Sequence, residues 1–518
     1  MVPVPRSWSL PLGAAAPEGF GLHELALALL LGSAVLVVAV AAVRLSVRSG
    51  LPSLLLYLGI GLLIGETDIG LGVDYGSEQL TQVLGYAALV LILVEGGVTT
   101  HWPEIRSSVA PAALLATVGV GVSVVSVGVL AHVVLGWAWE VSFLVAAVLA
   151  STDAAAVFSV LRRVPLPRRV SGMLEAESGF NDAPVVLLVT AISVSMASGA
   201  EAEPWWQLLL LAVVELAGGT AIGLAVGWLG GRLMRLVATS SSALFAIGVL
   251  AVAVLAYGAA DAVHTSGFIA CYLAALVLGN QRLPHRPAVV GLATAMGWLA
   301  QIGLFVLLGL LATPTRFADQ VVPALVVGAA LLLVGRPLSV LVSCTPFRMP
   351  WRTQAFLSWA GLRGAVPIVL ATVPVTAGTN GATWMYELVF VLVVVFTLVQ
   401  APTLPWVARR LGLDASHHRV DLAVDATPLD DVGAELLEID VGSDSRIGGV
   451  RVFELRLPRD ANVALVVREG HSFVPRDQDV LRHGDQLLVV TPARLREQVE
   501  RRLYQVSRGG RLADWTDP

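Results

Sequence analysis

Long apolar runs separated by short polar breaks dominate the chain as far as about residue 410. Thirteen of them are near or above the roughly 17–20 residues needed to cross a bilayer, a few being shorter or broken. They centre on 24–43, 51–65, 83–98, 109–134, 141–161, 171–198, 205–231, 242–262, 266–280, 291–312, 320–344, 353–374 and 386–408. The pattern predicts an all-α polytopic membrane domain over 1–411. Beyond it a polar linker, 412–435, precedes a change of period. Val450-Arg451-Val452-Phe453-Glu454-Leu455-Arg456-Leu457 alternates as a strand does, and 461–467 and 486–491 are further strand candidates. Turn signals fall at Pro458-Arg459-Asp460 and His483-Gly484-Asp485, and 493–504 reads as a short helix. A small α+β domain over 436–505 is expected, followed by a tail, 506–518. Its size favours pairing with a second copy.

Composition and charge sharpen this picture. Apolar residues make up 56% of the chain and charged residues only 14%, against about a quarter in soluble proteins. The first apolar run lacks a small-residue cleavage site and is followed by Arg44 and Arg48, so it is read as retained. Arginines mark alternate loops: Arg106, then Arg162, Arg163, Arg168 and Arg169, then Arg232 and Arg235, Arg282 and Arg286, Arg348 and Arg352, Arg409 and Arg410. Opposite loops carry Glu66, Asp68, Asp74, Glu201 and Glu203, with Arg316 the exception. By the positive-inside rule the amino terminus is outside and the carboxyl terminus cytoplasmic. Residues after 411 hold 19 acidic side chains and 14 arginines, so the net charge of −5 lies there. All 33 basic residues are arginine, which excludes Schiff-base and P-loop chemistry and leaves no deprotonatable ammonium. Cys271 and Cys344 lie in apolar segments, and neither a disulfide framework nor a metal-ligand spacing is present. No resident metal, cofactor or nucleic-acid partner is expected, whereas membrane lipid is.

Candidate chemistry sits where charge interrupts the apolar segments. Leu174-Glu175-Ala176-Glu177-Ser178-Gly179-Phe180-Asn181-Asp182 places carboxylates within a span, where ionised groups are costly and normally paired, protonated or functional. At helical spacing Ser178 and Asp182 share one face and Glu177 and Asn181 the neighbouring one. Together they offer hard oxygen ligands for which a small cation and a proton would compete. Ser151-Thr152-Asp153 falls in mid-segment, where an interrupted helix would free carbonyls for a cation alongside the Thr152 hydroxyl. For Asp153 alone, a kink whose carboxylate merely satisfies exposed amides is the favoured reading. Glu95 ends the third segment as an accessory carboxylate or a structural rim. Gly361-Leu362-Arg363-Gly364-Ala365-Val366-Pro367 marks a second broken helix. Its Arg363, read as the one deep basic residue, needs a buried anion, and Glu177 is the natural partner. Segments five and twelve take equivalent places if 1–6 and 8–13 form two inverted halves.

These three motifs resemble the signature segments of family 1 of the monovalent cation:proton antiporters, the sodium/hydrogen-exchanger group that includes the bacterial NhaP-type proteins. The resemblance extends over 24–410. It implies a thirteen-helix homodimer with a dimerisation part and a moving core. It further implies that Asp182 binds cation and proton in turn, with Asn181 as its neighbour. Thr152 and Ser178 would be cation ligands, Asp153 the acidic residue at the helix crossing, and Glu177–Arg363 a stabilising ion pair. Ala154 departs from the proline that many members carry. Residues 436–505 resemble the TrkA-C domain of potassium-conductance regulators, strongest at Glu454–Pro458 and Gly484–Val490. Antiporters with such a tail are often potassium/proton exchangers, and some of these domains bind a nucleotide second messenger. The expected function is therefore secondary active exchange of protons for potassium or sodium in a prokaryotic plasma membrane, electroneutral and tail-regulated, not an enzymatic reaction. A tail-gated cation channel is the alternative, although no filter-like run of carbonyl residues is present. An intramembrane hydrolase built on Asp153 and Asp182 lacks any peptide-binding element.

Overall fold

The structure, a computed structural model, describes residues 22–49, 52–65, 77–153, 157, 166–198, 205–237, 241–379, 382–413, 424–429, 434–442 and 445–510. Outside them fall Ala154, Arg162, Arg163, Glu66, Asp68, Asp74, Glu201 and Glu203, most of the second half of the fifth segment, much of the linker, and 511–518.

Each apolar segment contains helix. Eight helices are long and apolar enough to cross a membrane, and five shorter apolar ones occupy the remaining segments. In chain order they are α1 Leu22–Ser49, α2 Ser53–Ile64, α3 Glu78–Thr99, α4 Val109–Leu135, α5 Trp139–Val148, α6 Arg168–Ser198 and α7 Trp205–Leu236. They continue with α8 Ser242–Asp261, α9 Gly267–Asn280, α10 Arg286–Leu311, α11 Pro314–Phe347, α13 Ala365–Leu370 and α14 Thr383–Arg410, and a further short helix, α12 Trp351–Trp359, precedes α13 in the twelfth segment. Caps fix some starts: the Ser77 hydroxyl accepts from the Leu80 amide at the head of α3, and Ser241 does the same for Leu244 in α8.

The helices pack as two bodies. One is a scaffold of α1, α2, α3, α7, α8, α9 and α10; the other is a core of α4, α5, α6 and α11 to α14. Within the core, α4 and α11 each contain one widened π turn, Leu115–Gly119 and Leu331–Gly335. Each π turn packs against the helical stretch that follows the other one. Such reciprocal packing is what two inverted copies of one element produce. The α11 turn has a local cause. Pro337 has no amide hydrogen and its ring crowds the carbonyl four residues back, Leu333, which lies inside the π turn.

The carboxyl-terminal domain has its own core. Its five strands, β1 Val424–Leu429, β2 Ala434–Asp440, β3 Asn462–Arg468, β4 His471–Phe473 and β5 Gln486–Pro492, form an antiparallel sheet in the order β1-β2-β5-β3-β4. The sheet thus begins inside the stretch read from sequence as linker. Helix α15, Arg496–Gly509, buries Val499, Leu503 and Val506 at helical spacing against it. The expected strand at 450–457 is a short 3-10 turn, Val452–Leu455. The Glu454 carboxylate reaches back to the Arg451 amide, and Val452 and Leu455, three apart, are the buried pair while Phe453 is exposed. A three-residue period overrides the alternation.

Asp485, buried at the foot of β5, accepts two bonds from Arg468, Nε to Oδ1 and Nη2 to Oδ2, both 2.7 Å, and one from the Arg482 amide. Burial pushes its carboxyl up, but the Arg468 and Arg482 bonds outweigh that and hold it below its ordinary value. Because the folded value is the lower one, its contribution to stability is complete above the unfolded value of about 4 and is lost as the pH falls below that toward the folded value. Arg468→Ala should cost the domain about 3–5 kcal/mol by stranding a buried carboxylate. Loss of amide protection in β3 and β5 at fixed pH, followed by hydrogen exchange on the full-length protein, is the readout.

Candidate ion-binding site

Both expected helix breaks are present, and they meet. Helix α5 ends at Val148 and the chain runs through Leu149–Asp153 without helix; α12 ends at Trp359 and α13 resumes at Ala365. The Asp153 amide donates to the Leu362 carbonyl at 2.9 Å, joining the two breaks. Other carbonyls freed at the end of α12 are also taken up: Leu357 by Arg336 Nε at 3.3 Å and Trp359 by the Gln400 amide at 3.0 Å. The Asp153 carboxylate sits over Gly364 at the amino end of α13, where a side-chain Cβ would collide with it. A carboxylate there compensates the positive end of the half-helix. Gly364→Ala should therefore push the crossing apart and reduce both folded yield and transport, measured by size-exclusion recovery and proton flux.

Helix α6 carries the acidic motif past this crossing. Ser151 Oγ donates to Asp182 Oδ1 at 2.6 Å, Asn181 Nδ2 donates to Thr152 Oγ1 at 2.6 Å, and Ser178 Oγ donates to the Thr152 carbonyl at 3.2 Å. The Thr152 hydroxyl donates in turn to Glu177 Oε1 at 3.2 Å. The five residues named from sequence, Thr152, Asp153, Ser178, Asn181 and Asp182, thus converge. The Asn181 Oδ1 atom is buried with no hydrogen-bond partner, which leaves a hard oxygen acceptor beside Asp182. Pro184 adds another local change, because its missing amide leaves the Phe180 carbonyl without its usual helical donor.

The ion pair is not the expected one. Glu177 is held by Arg336 from α11, Nη1 to Oε1 at 2.5 Å and Nη2 to Oε2 at 2.8 Å, both side chains buried. This two-pronged geometry is the strong form of a carboxylate–guanidinium contact. Arg363 is buried nearby, but its Nε and Nη1 have no hydrogen-bond partner. Arg336 was missed because it lies inside the apolar run 320–344, where its one charge is averaged away. The Arg336-Pro337 dipeptide was the available signal. Ser151 was the other miss, since its role depends on the break turning it toward α6.

Asp182, Thr152, Asp153 and Ser178 line a cavity of about 510 Å³ between core and scaffold. Its far wall is scaffold: Glu95, Gly96, Thr99 and Thr100 at the end of α3, and Trp298, Gln301 and Phe305 of α10. The Glu95 carboxylate rests on α10 where Gly297 leaves room for it. Among the described residues no cluster of three His, Cys, Asp or Glu side chains suited to a resident metal occurs.

Comparison with known proteins follows the same division of the chain. Residues 33–410 match the family model for the sodium/hydrogen exchanger transmembrane region, and 436–504 match the TrkA-C domain. The chain is 35% identical over 463 residues, 88% of its length and 79% of the relative's, to the K(+)/H(+) antiporter NhaP of Alkalimonas amylolytica. It is 28% identical to the Na(+)/H(+) antiporter NhaS2 of a Synechocystis strain, over 68% of this chain and 66% of that one. Among solved structures, the sodium proton antiporter MjNhaP1 of Methanocaldococcus jannaschii at pH 8 has the same fold, with a TM-score of 0.65 at 20% identity over 75% of this chain and 99% of that one.

Proposed function

The chain belongs to the sodium/hydrogen exchanger family, a family of cation/proton antiporters and not of enzymes, and from that premise we propose that it exchanges protons for potassium or sodium through Asp182. One observation carries this reading. Four carboxylates are fully buried among the described residues, and three are held by arginine: Glu177 by Arg336, Glu387 by Arg316, and Asp485 by Arg468. The fourth, Asp182, has only the Ser151 hydroxyl and faces the cavity. A group so placed can take up a proton or a cation, while the paired ones are committed.

In this reading a cation is held by Asp182 with oxygens from Thr152, Asn181, Asp153 and Ser178, and a proton displaces it. Potassium stands first because relatives matching over most of their length are named potassium/proton antiporters. The lining at the ends of α2, α3 and α6 lies on the arginine-rich side, so with the amino terminus outside the cavity opens to the cytoplasm. Thirteen spans, a cytoplasmic carboxyl terminus, a homodimer and a nucleotide ligand on the TrkA-C domain complete the reading. Everted vesicles energised to an acid interior test it: cation added at the cytoplasmic face should release the proton gradient, potassium more effectively than sodium. A gradient untouched by either cation would refute it.

The charge balance of the crossing supports a one-for-one stoichiometry. Asp153, Glu177 and Asp182 against Arg336 and Arg363 leave one negative charge, which one proton or one monovalent cation neutralises. The loaded core then crosses uncharged either way, so exchange is one for one. In liposomes at fixed gradients, a potential imposed with valinomycin should leave sodium/proton exchange unchanged; a rate that follows the potential would contradict this. Truncation after residue 412 should preserve exchange and alter only its dependence on pH or on a cytosolic ligand, since no site residue lies beyond that point.

A further inference from the structure

A second cavity, of about 600 Å³, shares no lining residue with the ion cavity but lies near it on the same boundary between core and scaffold. One wall is core, Val109, Ala113 and Thr117 of α4, spaced four apart; the other is scaffold, Leu216, Thr220 and Leu224 of α7, also four apart. Its floor is α9 from Ile269 to Asn280, with Phe180 of the acidic helix set against the ring of Tyr272. At 1.5 Å per residue the α9 stretch is about 16 Å long, half of a hydrocarbon core of about 30 Å, which is the depth of one leaflet.

The mouth has the chemistry of a headgroup layer. Trp102, half exposed, stands there with its amide bonded to Asn280 Oδ1 at 2.8 Å. Tryptophan at this depth is typical of the membrane interface. Beside it His101 Nε2 accepts from Arg286 Nη2 at 3.0 Å, with Arg106 and Arg282 in the neighbouring turns. A guanidinium has five N–H donors, so Arg286 can hold an anion as well as His101.

We infer that this crevice binds one phospholipid of the arginine-side leaflet, an acyl chain lying between α4 and α7 and the phosphate at His101 and Arg286. The length of the crevice, its apolar walls and the arginines on the turns next to Trp102 and Asn280 all fit that occupant. The chain lies between the two bodies and touches Phe180, two residues from Asp182. On the antiport reading above, it is therefore a wedge that the core must slide past.

Lipid retention tests the site independently of transport. The detergent-purified full-length protein, incubated with phosphatidylglycerol and examined by native mass spectrometry, should keep one lipid per protomer under activation that strips the rest. Thr220→Trp and Ala113→Phe, which fill the crevice, should each lose that lipid while eluting as the wild type does. Val133→Trp, on an exposed face of α4 outside the crevice, should keep it. His101→Ala with Arg286→Ala should weaken retention about tenfold, and inorganic phosphate should not compete if the acyl chain anchors the ligand. Equal retention in both filling variants and the wild type would overturn the proposal, as would displacement by phosphate alone. If retention behaves as expected but the wild-type protein exchanges no cation, the antiport reading fails and the lipid site stands.

Discussion

Asp182→Asn abolishes cation-driven proton movement while leaving a folded, membrane-inserted protein. Asparagine keeps the size of the side chain and can still accept from Ser151, which donates to Asp182 Oδ1 in the structure. It cannot bind and release a proton, and it offers a cation a neutral oxygen in place of a charged one. Flux should therefore fall to the level of empty vesicles, with size-exclusion behaviour and thermal stability unchanged or improved, because an unpaired buried carboxylate has been removed. Asp182→Glu should retain part of the activity with a changed cation affinity. Dissipation of a pH gradient by the Asn variant would remove Asp182 as the carrier.

Arg336→Ala is the substitution expected to damage the fold most. It leaves Glu177 buried and charged with only the Thr152 hydroxyl, and it frees the Leu357 carbonyl at the end of α12. Breaking a buried pair from one side costs about 3–5 kcal/mol. Arg336→Lys should recover only part of this, since an ammonium cannot make the two-pronged contact. Glu177→Ala should be comparably severe, because Arg336 and Arg363 then face each other without an anion. Arg363→Ala should cost less than either, having no hydrogen bond to lose at Nε or Nη1. Thermal melting of the four variants, with Glu177→Ala/Arg336→Ala closing the double-mutant cycle, gives the coupling. A larger coupling in the parallel cycle closed by Glu177→Ala/Arg363→Ala would reverse the assignment.

What could be read from the sequence was whatever depends on local pattern. Thirteen apolar runs each contain helix because burial or lipid exposure of a whole segment is a property of that segment. The breaks at Ser151–Asp153 and Ala360–Gly364 were legible because polar and glycine residues in mid-span have few other uses. The partner of Glu177 was not, since pairing depends on which helices lie side by side, and two arginines lay within reach. Arg336 was hidden by dilution: one charge in a run as apolar as 320–344 barely lowers its mean, and its position is set by the π turn before it. In the tail, β3 and β5 followed their alternation, while Val452–Leu455 did not, because one capping contact from Glu454 decided the local turn. Strands β1 and β2 fall in or beside a polar stretch; β1 pairs with β2, and β2 in turn with β5, which is remote in sequence.

The central claim is that one carboxylate, Asp182, binds a cation and a proton by turns. Calorimetric titration of the purified protein with potassium, repeated in buffers of different ionisation enthalpy, measures it most directly. Protons displaced by the cation are taken up by the buffer, so the apparent binding heat reports their number. Release should approach one proton per potassium bound at the acid end of the working range and fall toward zero as the pH rises and the carboxylate empties. In Asp182→Asn that release should vanish. Potassium binding with no proton release at any pH, or release unchanged in Asp182→Asn, would contradict it.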